Sequence, residues 1–300
     1  MPRSDSQSDG PAPTGYAVVT GASSGIGRAI SEHLQSAGWQ VARVDCNPGS
    51  GPAADSTRLL DVSQQEAWLS LESDLRERWP RIDLLVNCAG VLVGGDLVDC
   101  PLEAVTRVAD VNVKGVLIGC RVLGTWLIES GPQRPAGLRP RAGIINVSSI
   151  FAAVCPPGFA AYNASKAAVL ALSESLRGEL APHGLNVTVA APGVVRTPLF
   201  RTCWFATDAY RSAAGRFYEL AQLEPGQVAA AALAAAERGK LLCVVGGRAR
   251  RLWLLKRLFP CAVQRYAARR SRRELGSPSP PAEFAASTPP PTERDTTQVG

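Results

Sequence analysis

Tyr16-Ala17-Val18-Val19-Thr20-Gly21-Ala22-Ser23-Ser24-Gly25-Ile26-Gly27 decides how the rest of this 300-residue chain is read. The first five residues are apolar or β-branched and predict a short buried strand. Three glycines follow at once, and a helical pattern runs from Arg28 to Ala37. Glycine lets a backbone turn sharply and approach a phosphate with no Cβ in the way. The helix behind it turns unpaired N–H groups and a positive dipole end toward an anion. The spacing Gly-x-x-x-Gly-x-Gly differs from the common dinucleotide fingerprint, but the strand–glycines–helix context is the one such a site needs.

The next strand, from Gln40, ends in Asp45, twenty residues after Gly25. A carboxylate there can accept hydrogen bonds from the two adenosine ribose hydroxyls. It also repels a 2′-phosphate, and no Lys or Arg stands at Ala22, Ser23, Ser24 or Cys46 to offset that. NAD is therefore expected in preference to NADP, with Arg43 and Arg28 the side chains able to reverse the preference.

Further along, Tyr162-Asn163-Ala164-Ser165-Lys166 lies thirteen residues beyond Ser149. A helix over 160–180 puts Tyr162 and Lys166 on one face. A phenol ionises near ~10, and a neighbouring cation favours its anionic form. That is what a tyrosine exchanging a proton with an alcohol near neutral pH requires.

Apolar strand-like segments at 16–20, 40–45, 57–61, 82–87, 143–148, 186–191 and 241–245 alternate with helical ones. The alternation predicts an α/β, doubly wound domain: a central parallel sheet of these seven strands with helices on both faces. No internal repeat appears beyond it.

With these pieces together, residues 16 to 246 resemble the short-chain dehydrogenase/reductase family in its one-domain form. Thr20 to Gly27 is similar to its cofactor loop. Asp61-Val62 resembles the pair contacting the adenine ring, and Asn87-Cys88-Ala89-Gly90 the family's Asn-Asn-Ala-Gly, with Cys88 in place of the second Asn. That swap is expected to be mild if the backbone of the segment is what matters. Val111 to Gly115 resembles the segment carrying the catalytic Asn, Ile144 to Ser149 the serine strand, and Tyr162 to Lys166 the Tyr-x-x-x-Lys. Pro192-Gly193-Val194-Val195-Arg196-Thr197 is similar to the loop holding the nicotinamide carboxamide.

The resemblance implies a Rossmann-like three-layer sandwich and hydride transfer between a carbinol carbon and nicotinamide. It makes Tyr162 the general acid/base, with Lys166 lowering its pKa and holding the nicotinamide ribose. Ser149 would bind the substrate oxygen, and Asn112 would anchor a water linking Lys166 to solvent. Cofactor contacts are implied for Gly21, Ser23, Ser24, Gly25, Ile26, Gly27, Asp45, Asp61, Val62, Asn87, Ala89, Gly90, Tyr162, Lys166, Pro192, Gly193, Val195 and Thr197. Ser148 competes with Ser149 for the substrate role, and the spacing to Tyr162 favours Ser149. An NADPH-dependent ketoreductase and a catalytically silent NAD-binding sensor remain as alternatives. The family forms homo-dimers or homo-tetramers through the helices carrying Asn112 and Tyr162, and the apolar segments 113–128 and 164–180 are compatible with that.

Eight scattered cysteines with no Cys-x-x-Cys, and only His33 and His183, give no metal-ligand spacing. His183, beside Pro182 and Gly184, reads as a helix cap. The first residues lack a basic start followed by an apolar core, so no signal peptide is expected. No apolar run reaches membrane-spanning length. The chain is expected to be soluble, cytoplasmic and reduced.

Residues 1–14 and the Pro-rich 276–300 are expected to be disordered tails around the catalytic domain, 15–247. The segment 248–275 reads as a basic amphipathic helical addition. Ten Lys or Arg and no acid fall within 248–273, so the remainder of a chain of net charge +6 sums to −4. Leu252, Trp253, Leu254, Leu255, Leu258 and Phe259 interleave with the basic residues before Pro260. Three uses are open: a helix packed on the domain or on a neighbouring subunit, a peripheral contact with an anionic membrane, or nonspecific phosphate binding. No motif for specific nucleic-acid recognition is present.

Between Pro198 and Glu224 lies the stretch that in the family flaps over the substrate. Leu199, Phe200, Trp204, Phe205, Tyr210, Phe217 and Tyr218 predict an apolar wall there, with Cys155-Pro156-Pro157-Gly158 shaping the opposite one. Arg201, Arg211 and Arg216 either meet an acidic group or face water. An apolar secondary alcohol or ketone is the expected substrate. The 130–142 connection reads as an enlarged surface loop.

Overall fold

The structure is a computed structural model and describes residues 12–49, 57–200, 203–219 and 221–275. Seven strands form one sheet: β1 (Tyr16–Thr20), β2 (Gln40–Asp45), β3 (Thr57–Leu59), β4 (Leu84–Asn87), β6 (Gly143–Val147), β7 (Asn186–Pro192) and β9 (Leu242–Val245). Their order is β3-β2-β1-β4-β6-β7-β9 and every pairing is parallel. All seven expected segments are in this sheet, with β3 and β4 two residues shorter than read and β6, β7 and β9 differing by one residue. An additional pair, β5 (Val93–Gly94) with β8 (Trp204–Phe205), ties the substrate flap to the loop after β4. Two-residue strands carry too little pattern to be legible in sequence.

The chain reverses direction across the sheet after β3, because β4 returns to the far side of β1. The carboxyl ends of β1 and β4 therefore diverge into a crevice, where ligands of doubly wound folds bind. The strands are apolar on both faces because helices cover both. On one face α2 (Gln65–Arg76), α4 (Gly115–Glu129) and α6 (Ala160–Leu180) bury Trp68, Leu71, Leu123, Leu127 and Val169 against Val18, Leu85 and Ile144. On the other, α1 (Gly25–Ser36) and α8 (Pro225–Glu237) bury Ile30, Leu34, Ala229, Ala232 and Leu233 against Ala17, Val19 and Ile145. Alanine on α8 lets it lie close to α1. Trp68, fully buried, hydrogen-bonds the Val62 carbonyl through its indole N–H at 2.9 Å.

A polar ladder crosses this core. The Asn87 amide donates to Asn146 Oδ1 at 2.9 Å, Asn146 Nδ2 donates to Ser173 Oγ at 2.9 Å, and Ser173 Oγ donates to the Val169 carbonyl. All three side chains are buried, so each bond replaces water that the group gave up.

Helix α3 (Leu102–Ala109) passes through one π-helical turn, Asp110–Lys114, into α4. The joined run Leu102–Glu129 has the length and composition to cross a membrane, which the sequence reading did not anticipate, but 61% of its apolar window is buried inside the fold. It is a core helix pair.

The segment 130–142 is less of a surface loop than expected. Leu138 packs on the core, and Arg134 ties back to the Leu127 carbonyl. Thr14, assigned to a disordered tail, donates its N–H to the Gly38 carbonyl at 2.9 Å. The expectations for residues 1–11 and 276–300 lie outside the described residues.

The basic segment forms two helices, α9 (Gly247–Leu258) and α10 (Pro260–Leu275). Ala249 and Trp253 of α9 are buried with Ile150 and Ala191, so the pair is packed on the domain. Gln264 of α10 donates to the Cys155 carbonyl at 3.1 Å and accepts from Lys256 Nζ at 3.0 Å. These bonds fix α10 to the left-handed Cys155 (φ 49°) that follows α5 (Phe151–Val154).

Candidate active site

A cleft of about 630 Å³ opens at the carboxyl ends of β1, β2, β4, β6 and β7. At its amino-terminal side Gly21 adopts φ 66°, and a Cβ there would meet the Ala89 backbone at 2.8 Å. A Cβ on Gly27 would lie 2.2 Å from the Gly21 carbonyl, so glycine is what allows α1 to pack against its own entry loop. Ser24, which precedes α1, makes no side-chain capping bond. No serine cap thus covers the first N–H groups of α1 at the edge of the cleft, and that of Gly27 meets the Cys88 thiol.

Asp45 lies at the end of β2. Its carboxylate accepts from the Ser23 N–H at 3.0 Å and the Asn47 N–H at 3.1 Å, which braces the glycine loop. The two arginines able to reverse its charge preference are engaged elsewhere. Arg43 is buried and donates to the Ala22 carbonyl at 2.7 Å, while Arg28 pairs with Glu32 at 2.7 Å. Next to them Asp61 accepts from the Ser63 N–H and hydroxyl and pairs with Arg107 at 3.0 Å. Burial pushes this carboxyl up, but those bonds outweigh it and hold the pKa below the usual value.

Thr20 Oγ1 accepts from the N–H groups of both Cys88 and Ala89, at 3.0 and 3.1 Å. The backbone of the Asn-Cys-Ala-Gly segment is thereby fixed, which supports the expectation that the Cys88 swap is mild. The Cys88 thiol lines the cleft, and burial pushes its pKa up to about 12. Asn87 does not line the cleft: its amide faces inward to Asn146. Gly27 and Asn112 also stand behind the lining. The other expected cofactor contacts, from Gly21 and Ser23 through Asp45, Asp61, Val62, Ala89 and Gly90 to Pro192, Gly193, Val195 and Thr197, surround it.

Four expected catalytic residues converge at the inner end. Tyr162 and Lys166, one turn apart on α6, are both buried, with the Lys166 ammonium 5.6 Å from the phenol ring centre. The Lys166 Nζ donates to the Val147 carbonyl at 3.0 Å. Ser148 is spoken for, since its hydroxyl donates to the Lys166 carbonyl at 2.8 Å. Ser149 accepts from the Phe151 N–H at 3.1 Å, which leaves its own hydroxyl proton to donate. Of the two serines, Ser148 has thus committed its hydroxyl proton to the backbone, and Ser149 keeps its own for another acceptor. Asn112, in the π turn, binds both backbone groups of Val91, accepting at 2.8 Å and donating at 2.9 Å, and donates to Ser165 Oγ at 3.0 Å. Its side chain holds Gly90 and Val91 beside Lys166. A Cβ on Gly90 would come within 3.5 Å of Lys166 Nζ. π turns concentrate at functional positions.

The electrostatics differ from the expectation that Lys166 lowers the Tyr162 pKa. Burial raises the phenol above its usual value, and the Ser149 hydroxyl offsets only part of that. Burial also lowers the Lys166 ammonium to about 8. For both groups desolvation of the charged form is the largest cause of the shift.

The flap, which carries α7 (Asp208–Glu219), closes over Tyr162. Phe205 and Ala214 join Leu92, Phe159 and Tyr162 in one buried cluster, with Leu199, Phe200, Cys203 and Tyr210 against it. Tyr210 donates from its hydroxyl to Asp96 at 2.8 Å. Arg211 stacks on the Phe205 ring and so is not directed at a ligand. Arg201 and the Phe217 side chain fall outside the described residues. Behind the flap lies a second, mostly apolar cavity of about 370 Å³ that shares Ile150, Phe151, Gly193 and Val194 with the cleft. Pro156 and Pro157 form one wall, as expected, and Leu252, Val263 and Tyr266 of α9 and α10 form another. That contribution was missed. Sequence showed the apolar residues of 248–273 but not which of them turn inward.

The model of the short chain dehydrogenase family matches residues 15–205, and the chain belongs to that family. It is 33% identical to a 3-alpha-(or 20-beta)-hydroxysteroid dehydrogenase of Mycobacterium bovis, over 68% of this chain and 76% of that one. A short-chain dehydrogenase from Streptomyces avermitilis superposes with a TM-score of 0.71 at 28% identity, covering 86% of this chain and 98% of that one. A short-chain dehydrogenase/reductase from Burkholderia phymatum, solved in complex with NAD, gives 0.69 at 26% identity, over 82% and 94%. The protein is therefore an oxidoreductase acting on CH–OH groups with NAD or NADP.

The residues present fit a nicotinamide dinucleotide: a glycine cradle, an uncapped helix start and a carboxylate at the end of β2. Bound there, the cofactor would supply or accept the hydride. The chain's own groups handle the proton and the oxygen. With a substrate and cofactor in place, Ser149 would be positioned to donate a hydrogen bond to the reacting oxygen and Tyr162 to exchange a proton with it, with the Lys166 positive charge behind the phenol.

Proposed function

We propose that this protein is an NAD-dependent oxidoreductase that interconverts a secondary alcohol and a ketone on an apolar body of steroid-like, long-chain or aromatic shape. The observation that carries the substrate half is the apolar cavity adjoining the Tyr162 site. Its lining surface is mostly apolar, with Gln222, Arg248, Arg270 and Ser271 as polar members, and burial of apolar area would supply most of the binding free energy. The hydroxysteroid dehydrogenase of M. bovis is a relative consistent with such a body.

The cofactor half rests on Asp45 together with the engaged Arg28, Arg43 and Arg107. With each of these cations committed, a 2′-phosphate would meet the carboxylate uncompensated. A homo-oligomer built on the helices carrying Asn112 and Tyr162 is part of this reading. Leu117, Arg121, Thr125 and Glu129 are exposed on α4, and Ala164, Ala171, Glu174 and Glu179 are among the exposed residues of α6, so a partner would meet small and charged side chains there.

Titration with NADH and NADPH, followed by fluorescence of the reduced nicotinamide, tests the cofactor. Tighter NADH binding supports it, and preference for NADPH overturns it. A panel of hydroxysteroids and long-chain secondary alcohols set against short polyols tests the substrate. Faster turnover of the polyols would reject the apolar reading.

A further inference from the structure

Helix α9 carries apolar side chains on both of its sides. Ala249, Leu252 and Trp253 face the domain. On the opposite side Leu254, Leu255, Leu258 and the terminal Phe259 are 45–70% exposed. A helix that only covered its own domain would place polar groups there. Exposed Arg250, Arg251 and Arg257 stand between these residues, and α10 adds exposed Arg265, Arg269 and Arg273. The other large exposed apolar side chains among the described residues are Tyr266 on α10 and six that lie between residues 59 and 117.

We propose that the outer face of α9, with the elbow at Phe259 and Pro260, docks on an anionic lipid bilayer. Leu254, Leu255, Leu258 and Phe259 would enter the boundary between headgroups and acyl chains, and Arg250, Arg251 and Arg257 would meet lipid phosphates. Charge selects this occupant. The segment 248–273 holds ten basic residues and no acid, so a two-fold contact with a second copy would set this patch against itself and repel. A nucleic acid would use the arginines but has no use for four exposed leucine and phenylalanine side chains. The same helix pair lines the apolar cavity, through Arg248 and Leu252 on α9 and Val263 and Tyr266 on α10. Docking would hold that cavity next to the membrane. The inference concerns binding alone and stands or falls separately from the proposed reaction.

The test is co-sedimentation of the full-length protein with phosphatidylcholine vesicles, with and without ~30% phosphatidylglycerol. Binding should require the anionic lipid and weaken as salt is raised. Leu258→Ser with Phe259→Ser should weaken it about tenfold or more, with thermal midpoint, elution volume and NADH affinity unchanged. Arg250→Glu with Arg251→Glu should abolish it. Absence of vesicle binding overturns the proposal, as does binding that the Leu258/Phe259 variant retains. Self-association lost in that variant would assign the face to a second copy. Binding to duplex DNA that depends on the arginines but not on Leu258 and Phe259, without vesicle binding, would assign it to nucleic acid.

Discussion

The Lys166 ammonium lies 5.6 Å from the centre of the Tyr162 ring while donating to the Val147 carbonyl at 3.0 Å. The cation is therefore anchored to the sheet, one helical turn from the phenol it serves. Both groups are buried, and burial disfavours the charged form of each: the phenol is raised and the ammonium lowered to about 8. Near neutral pH the pair consists of a neutral phenol, ready to donate a proton, and an ammonium close to losing its own.

Tyr162→Phe removes the proton donor and little else, because the ring still fills the cluster with Phe159 and Phe205. Turnover should fall by about 10²–10⁴-fold, the usual value of a positioned acid or base. NADH affinity should change by less than about tenfold, since most of the cleft is made by other elements. Activity in the variant close to wild type, measured by initial rates, would remove Tyr162 from the chemistry and favour a silent sensor.

Lys166 predicts a pH limb and a stability effect of known sign. Ketone reduction leaves a phenolate that the ammonium supports, so kcat/KM should fall as pH rises through about 8. Lys166→Arg keeps its charge and should move that limb to higher pH. The folded pKa lies below the usual lysine value of 10.5, so between about 8 and 10.5 the unfolded chain binds more protons and stability rises with pH. Lys166→Met should accordingly raise Tm at pH 7 while abolishing activity, and the difference in Tm should shrink as pH approaches 10. Scanning calorimetry at three pH values checks this.

The seven sheet strands were legible because each is a run of apolar residues bounded by turn residues, as a strand covered on both faces must be. Tyr162, Lys166, Ser149 and the glycine loop were legible because their roles demand a residue type at a spacing. Asn87 shows where this stops. The family-like segment Asn87-Cys88-Ala89-Gly90 implied a contact, but the direction of its amide is set by Asn146 and Ser173, 59 and 86 residues away. The α9–α10 wall was hidden for a related reason. With leucines on both sides of α9, the sequence pattern has no single apolar stripe, and only packing against Ile150 and Ala191 selects Leu252 and Trp253 as the inward ones.

Asp45→Ser should weaken NADH and narrow the gap to NADPH. The carboxylate is the only acidic side chain at the end of β2, and a charge-assisted hydrogen bond to a ribose hydroxyl contributes ~1.5–3 kcal/mol. NADH affinity should drop about tenfold or more, partly because Ser23 loses its acceptor as well. An unchanged NADH to NADPH ratio in fluorescence titrations would show that Asp45 only braces the loop.

Asn87→Leu separates a role in the core from a role in the cleft. The substitution leaves Asn146 Oδ1 buried without its donor, which costs ~1–3 kcal/mol. Urea unfolding should shift to lower denaturant with the slope unchanged, and NADH affinity of the folded enzyme should be preserved. The reverse pattern, intact stability with lost NADH affinity, would return Asn87 to the cofactor site.

Val154→Phe tests the apolar cavity as the substrate's seat. Val154 lines it from the end of α5, half-buried and outside the cofactor cleft. The added ring would occupy a substantial part of about 370 Å³. KM for the bulkiest apolar substrate should rise about tenfold, the scale on which a filled pocket excludes a few methylenes. Turnover of a short secondary alcohol and binding of NADH should be preserved, because neither reaches past Ile150 and Phe151 into the cavity. Equal losses for short and bulky substrates would mean that the ring perturbs the Ser149 loop, and loss of neither would place the substrate body outside this cavity.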